Sequence, residues 1–152
     1  MAIKSVFHVN INCTDFERSK AFYEMLGFQS IMDLGEGGSE EMGRGLGDPT
    51  AKGKAAIMML DPGNSRGCRL DLIEWTIPKT RGTPPPDLFH AGMARLCLYC
   101  TDLDGHVAQL KEAGVELVSE PVSMNRNTRF VPWGTMPRLS YAVSSTLNTA
   151  LA

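Results

Sequence analysis

Apolar and polar residues alternate along the first segment of the chain, and a helical spacing follows. Over residues 5–13 one face is mainly apolar and the other carries His8, Asn10 and Asn12, as expected for a half-buried strand. Residues 15–26 then show apolar positions at helical spacing. A capping box of Thr14 with Glu17 precedes them, and Gly27 follows as a stop. The pattern predicts a strand followed by a helix.

The same pattern returns 87 positions later (101 − 14). The recurring residues are Thr14-Asp15, Ala21 and Gly27, matched by Thr101-Asp102, Ala108 and Gly114. Residues 93–100 alternate again, and residues 103–113 show one apolar helical side, which leaves His106 on the solvent side. Two copies are too few for a solenoid, so we predict paired modules of one domain with a cleft between them as the place for chemistry.

Further segments complete each module. Strands are predicted at residues 28–33, 55–60 and 68–75 in the first module, and at 115–118 and 139–143 in the second. The glycine-rich segment 35–53 lacks a phosphate-loop pattern, and we interpret it as a mobile lid. The expected organisation is a single domain of residues 1–152. It comprises module one at 3–75, a proline-rich linker at 76–92, module two at 93–145 and an atypical C-terminal tail from about residue 131.

Composition narrows the function classes. A net charge of −2 gives no basic surface for nucleic acid, and no run of about 18 apolar residues could span a membrane. The first residues lack the apolar core of a signal peptide, so we expect a cytoplasmic protein. The four cysteines, Cys13, Cys68, Cys97 and Cys100, are predicted to be buried and reduced, because Cys97 and Cys100 would point to opposite faces of a strand.

Glu74 is the first candidate for a functional role. It ends the strand face that also carries Cys68, Leu70 and Leu72. A carboxylate on such a face must be paired, protonated or bound to a cation. The alternative is a strand end that simply reaches water.

The order of these elements, with Phe22-Tyr23, Leu26-Gly27-Phe28 and Leu70-Asp-Leu-Ile-Glu74, resembles the vicinal oxygen chelate superfamily over residues 3–121. That superfamily contains glyoxalases, bleomycin-resistance proteins and extradiol dioxygenases. The resemblance implies an α+β fold in which two tandem βαβββ modules form a curled mixed sheet around a cleft. It also implies a homodimer and, in some members, a divalent metal held by the first and last strands of each module.

Carried over by position, the metal ligands of module one would be His8 and Glu74, which are also the candidate catalytic residues. The corresponding position in module two is Arg95, and a guanidinium cannot coordinate a cation. No acidic residue follows Glu120 to supply the fourth ligand. His90 in the linker could complete a triad, but Arg95 could instead pair with Glu74 and replace the ion. We therefore expect no cofactor or a weakly held zinc, nickel, manganese or iron ion.

Three functions remain open. The first is a metal-independent protein that holds a small organic molecule, with Arg95, Asn10, Tyr99 and Trp75 as ligand-binding residues. The second is a metal-dependent lyase, epimerase or other isomerase, or dioxygenase that uses His8 and Glu74. The third is a degenerate module that only dimerises. The apolar, acid-free segment 139–152 favours a homodimer in each case.

Overall fold

The computed structural model describes residues 6–64, 67–83, 96–125, 128–133 and 141–145. The chain divides into two compact units at Gly82/Thr83. Within the described residues, no helix is long and apolar enough to cross a bilayer.

The first unit is a four-stranded sheet with helices in two of its connections. Its elements are β1 (His8–Asn12), α1 (Phe16–Met25), β2 (Gln29–Gly37), α2 (Glu40–Gly45), β3 (Lys52–Met59) and β4 (Arg69–Ile77). The strand order is β1-β4-β3-β2, with β1 parallel to β4 and the other pairs antiparallel.

The second unit repeats this arrangement with shorter strands. Its elements are β5 (Cys97–Tyr99), α3 (Leu103–Glu112), β6 (Val122–Asn125), β7 (Thr128–Trp133) and β8 (Tyr141–Ser145). The strand order is β5-β8-β7-β6, and again only the first and last strands pair in parallel. The α+β class and the βαβββ order of both modules are as predicted.

Equivalent residues begin and end the helices α1 and α3. The side chain of Asp15 accepts a hydrogen bond from the Arg18 N–H, and that of Asp102 accepts one from the Gly105 N–H. The predicted cap at Thr14 is therefore wrong by one residue, because the aspartate beside it satisfies the first free N–H groups of the helix. Gly27 and Gly114 follow the helices with φ values of 94° and 74°, a backbone region that glycine enters without steric cost.

Helix α1 packs on one face of the first sheet. The contact buries Phe16 and Tyr23 of the helix with Leu70 and Leu72 of β4. Burying one such side chain stabilises the fold by about 1.5–3 kcal/mol. The sheet therefore has a covered face, and its opposite face is available for other contacts.

Several sequence-based expectations differ from the structure. Residues 115–118 do not belong to any of the strands β5 to β8, and the third element of module two is instead β6, which starts at Val122. The predicted lid contains the short helix α2, which Ser39 caps by accepting a hydrogen bond from the Met42 N–H. β4 extends to Ile77, into the predicted linker.

The cysteines and His106 also differ from expectation. All four cysteines are free thiols, but Cys13 alone is buried; Cys68 and Cys97 are exposed, and Cys100 is intermediate. His106 is half-buried, with its ring 6.0 Å from that of the buried Trp133. Helix α3 therefore packs more than its apolar stripe against the second sheet.

Candidate functional site

The strand β4 presents two chemically different faces, because successive side chains point to opposite sides of a sheet. Leu70, Leu72 and Glu74 share the face covered by α1. Asp71, Ile73 and Trp75 share the opposite face, where they line a pocket. The second face carries the candidate functional site of module one.

The pocket on this face has a volume of about 410 Å³. Its wall is formed by mainly apolar side chains of β2, β3, β4 and α2, and by several glycines. The lining side chains include Leu34, Met42, Ile57, Ile73, Trp75 and Asp71, of which only Asp71 is charged. Such a volume suits a small organic molecule, and a few polar groups among apolar ones, here Ser39 and Asp71, are typical of sites that orient a ligand.

Asp71 lies beside His8, at the end of the pocket opposite Trp75 along β4. The distance from His8 Nδ1 to Asp71 Oδ2 is 3.5 Å, and the two side chains are 38% and 22% exposed. Asn10 is the parallel-strand partner of Asp71 and is exposed on the same face. The structure therefore brings the predicted residues His8 and Asn10 together with Asp71, a residue the sequence analysis did not select.

Trp75 lies at the other end of the pocket. Its indole Nε1–H donates a hydrogen bond of 2.9 Å to Asn12 Oδ1 on β1. This bond draws the ring toward β1 and away from β3, which pairs with β4 on the other side. Trp75 lines the pocket, and its role in ligand binding stays a prediction.

Glu74 has a different position from the one predicted. Its carboxylate Oε2 accepts a hydrogen bond of 2.9 Å from the Phe16 backbone N–H at the start of α1. His8 is paired with Arg69, five residues before Glu74, so the two residues are separated by about 16 Å along the strand. They also lie on opposite faces of the sheet. The structure does not bring His8 and Glu74 together as joint ligands of one ion.

Arg69 is a second polar residue that the sequence analysis did not select. Its guanidinium carbon lies 4.6 Å from the centre of the Phe7 ring, within cation–π distance. Arg69 belongs to the same face as Asp71 but does not line the pocket. Its positive charge is therefore directed to Phe7 and not into the cavity.

The predicted site residues of module two are only partly described. Arg95 and His90 lie outside the described residues. Tyr99 is 49% exposed and borders an open depression of about 450 Å³ with Cys100, Asp102 and His106. Burial, and next the charge of Asp102, raises the pKa of the Cys100 thiol; burial lowers the pKa of His106. Neither shift favours a thiolate–imidazolium pair, so this depression has no activated nucleophile.

The sequence model of the Glyoxalase/Bleomycin resistance protein/Dioxygenase superfamily matches residues 5–134. The chain belongs to this superfamily. The uncharacterized protein YwkD of Bacillus subtilis (strain 168) is 32% identical over 134 residues, which cover 86% of this chain and 90% of YwkD.

Solved structures of the superfamily share the fold. A glyoxalase family protein from Bacillus cereus matches with a TM-score of 0.86 and 20% identity, over 97% of both chains. The genomically encoded fosfomycin resistance protein FosX of Listeria monocytogenes matches with a TM-score of 0.63 and 12% identity, over 98% of this chain and 97% of FosX. At these identities the likeness establishes the architecture alone.

Proteins of the glyoxalase superfamily often use a divalent metal, so we tested the donor set of this chain. His8 and Asp71 supply two donor atoms, whereas a catalytic zinc site normally has three protein ligands. Across the described ranges, no three His, Cys, Asp or Glu side chains are grouped so that they could hold an ion. The described donors alone therefore do not fit a catalytic metal.

Proposed function

We propose that this protein binds a small organic molecule in the pocket of module one, as a metal-independent member of the glyoxalase and bleomycin-resistance superfamily. The observation that carries the proposal is the mainly apolar cavity of about 410 Å³, in which Asp71 is the only charged residue among the described ones that line it. Apolar walls supply affinity by releasing water, and the carboxylate with its neighbour His8 orients one polar group of the ligand.

Trp75 supports the same function and provides a way to observe it. The hydrogen bond to Asn12 fixes the indole, so the ring loses little conformational freedom when a ligand binds. The second tryptophan, Trp133, is fully buried in the other unit. In a Trp133→Phe variant, Trp75 becomes the single tryptophan, and its fluorescence reports on this pocket.

The test is a ligand screen with a pocket-filling variant. Neutral, cationic and anionic small molecules are titrated into Trp133→Phe while Trp75 fluorescence is recorded. Gly37→Leu adds a side chain at the pocket wall, where a Cβ has no neighbour within 4 Å, and should abolish the response. Gly45→Leu is the matched control, since its Cβ is equally unobstructed but Gly45 does not line the pocket. A response equal in all three proteins would contradict the proposal.

The second candidate is a metal-dependent lyase, isomerase or dioxygenase, in which the sequence analysis assigned His8 and Glu74 to the ion. The 3.5 Å separation of His8 Nδ1 and Asp71 Oδ2 favours this candidate in one respect, since two ligands of one tetrahedral ion lie about that far apart. Isothermal titration with zinc, nickel and manganese tests it. Tight binding that is lost in Asp71→Asn and kept in Glu74→Gln would favour the enzyme.

Arg95, Tyr99 and the assembly belong to the proposal as well. In module two, Arg95 and Tyr99 remain candidate ligand-binding residues through a positive charge and an aromatic surface, and we propose that the protein acts as a cytoplasmic homodimer. The free state of all four cysteines supports a reducing compartment. Light scattering at micromolar concentration tests the dimer, and a monomer mass would count against it.

A further inference from the structure

Side chains are unevenly distributed over the strands that form the floor of the module-one pocket. Gly37 of β2 pairs with Gly53 of β3, which pairs with Trp75 of β4, so two glycines and the indole form one row across three strands. The next row consists of Gly35, Ala55 and Ile73. Paired residues share a face of the sheet. The sheet surface beside Trp75 therefore carries fewer side chains than the rest of the pocket floor.

The backbone requires this open space at two of these positions. A Cβ on Gly53 would lie 2.7 Å from the carbonyl oxygen of Glu74, and Gly35 has a φ of +58°. Neither position accepts a larger residue without a change in the backbone. No atom lies within 4 Å of a Cβ built at Gly35 or Gly37, and the indole of Trp75 is hydrogen-bonded to Asn12 of β1. We call this side-chain-free strip beside Trp75 the glycine slot; a flat surface next to an aromatic residue suits a planar ring.

The other end of the pocket is acidic. Asp71 lies four residues from Trp75 on the same face of β4, about 13 Å along the strand. The nearby positive groups leave the carboxylate available: Arg69 faces Phe7, and His8 Nδ1 approaches only Oδ2 at 3.5 Å. Within the described residues, His8 is the only ion-pair partner of Asp71.

These observations define a ligand class, and the inference rests on the proposed binding function. We infer that the pocket selects elongated amines, with an aromatic ring held in the glycine slot beside Trp75 and a protonated nitrogen at Asp71. Ile73 and Ile57 contact the apolar spacer between the two ends. An anionic group at the Asp71 end is repelled, and a neutral hydroxyl forms a weaker hydrogen bond than an ammonium does.

The experiment uses three series of naphthyl probes with a methylene chain of increasing length, ending in an amine, an alcohol or a carboxylate. Affinities are measured from Trp75 fluorescence in Trp133→Phe and by calorimetry. We expect the amines to bind most tightly, with an optimum chain length at which the nitrogen reaches Asp71. Asp71→Asn should weaken the best amine by about tenfold to a hundredfold and change the alcohol of equal length little. Asp61→Asn, an exposed turn aspartate, should leave both unchanged.

The outcomes separate this inference from the proposed function. If the alcohols bind as tightly as the amines, and Gly37→Leu abolishes both, the pocket binds ligands but the amine assignment is wrong. If Asp71→Asn leaves the amine affinity unchanged, the assignment is also wrong. If no probe of any series binds in a way that Gly37→Leu prevents, both the ligand class and the proposed function fail. Tight carboxylate binding would overturn the assignment directly.

Discussion

Replacing Glu74 distinguishes a structural carboxylate from a ligand-binding one. Its Oε2 accepts the Phe16 N–H at 2.9 Å, at the positive end of the α1 dipole. We predict that Glu74→Ala destabilises the protein and leaves ligand affinity in the module-one pocket unchanged, because Glu74 lies on the face of β4 that α1 covers.

The magnitude follows from the type of contact. A hydrogen bond to a charged acceptor contributes about 1.5–3 kcal/mol, and the carboxylate is half-buried. At about 2–4 °C per kcal/mol for a chain of this size, Glu74→Ala should lower the melting temperature by about 3–12 °C. Glu74→Gln keeps an acceptor oxygen but loses the charge, so we expect about half of that loss.

The assay is thermal unfolding followed by circular dichroism, together with probe titrations at Trp75. Glu17→Ala is the matched control, since Glu17 is an exposed glutamate in the first turn of the same helix. It should cost only a few tenths of a kcal/mol, the lower end of the dipole effect. The reasoning is refuted if Glu74→Ala melts like Glu17→Ala while losing ligand or metal binding.

Three further predictions concern other groups. Burial lowers the pKa of His106, so the unfolded chain binds a proton more readily than the folded chain does. The free energy of unfolding should therefore fall as the pH drops below about 6.5. In melting curves recorded at several pH values, His106→Gln should reduce that dependence. Burial raises the pKa of the Cys13 thiol, so iodoacetamide should modify the exposed Cys68 and Cys97 first and Cys13 last. Peptide mass spectrometry measures this order, and early labelling of Cys13 would contradict its buried position. Chelator should leave the melting temperature unchanged, because the described donors include no group of three; a loss of several degrees, reversed by one metal, would indicate a structural ion.

The helices could be predicted from the sequence because their signals are local. Asp15 and Asp102, like Gly27 and Gly114, are separated by the same 87 positions and occupy equivalent cap and stop positions. The apolar stripe of Leu103, Val107 and Leu110 is buried as predicted. Helix ends depend on the backbone of a few neighbouring residues, so a single sequence contains the required information.

The strand ends and the third element of module two were harder to predict from the sequence. Residues 115–118 are apolar enough for a strand, yet there only Leu117 forms an isolated bridge, to Trp133. Strand formation depends on the partner strand, and that partner is distant in sequence. The exposed cysteines show the same limit, because burial of a thiol depends on tertiary packing.

Glu74 was predicted to lie with His8, whereas in the structure it is Asp71 that lies beside His8. The apolar side of β1, with Ile11, lies on the same side of the sheet as Leu70 and Leu72, since residues paired across adjacent strands share a face. His8 is on the other side, and so is Asp71. Applying the alternation to both strands together predicts that His8 and Asp71 share a face, whereas their register requires the structure.

The two carboxylates of β4 show how one strand separates stability from binding. Glu74 lies on a mainly apolar face, where an unpaired charge is too costly, and the N-terminus of α1 satisfies it. Asp71 lies on the opposite face, where it lines the pocket and its charge is available to a ligand. Substitutions at 70, 72 and 74 should therefore change mainly the free energy of unfolding, and substitutions at 71, 73 and 75 should change mainly affinity.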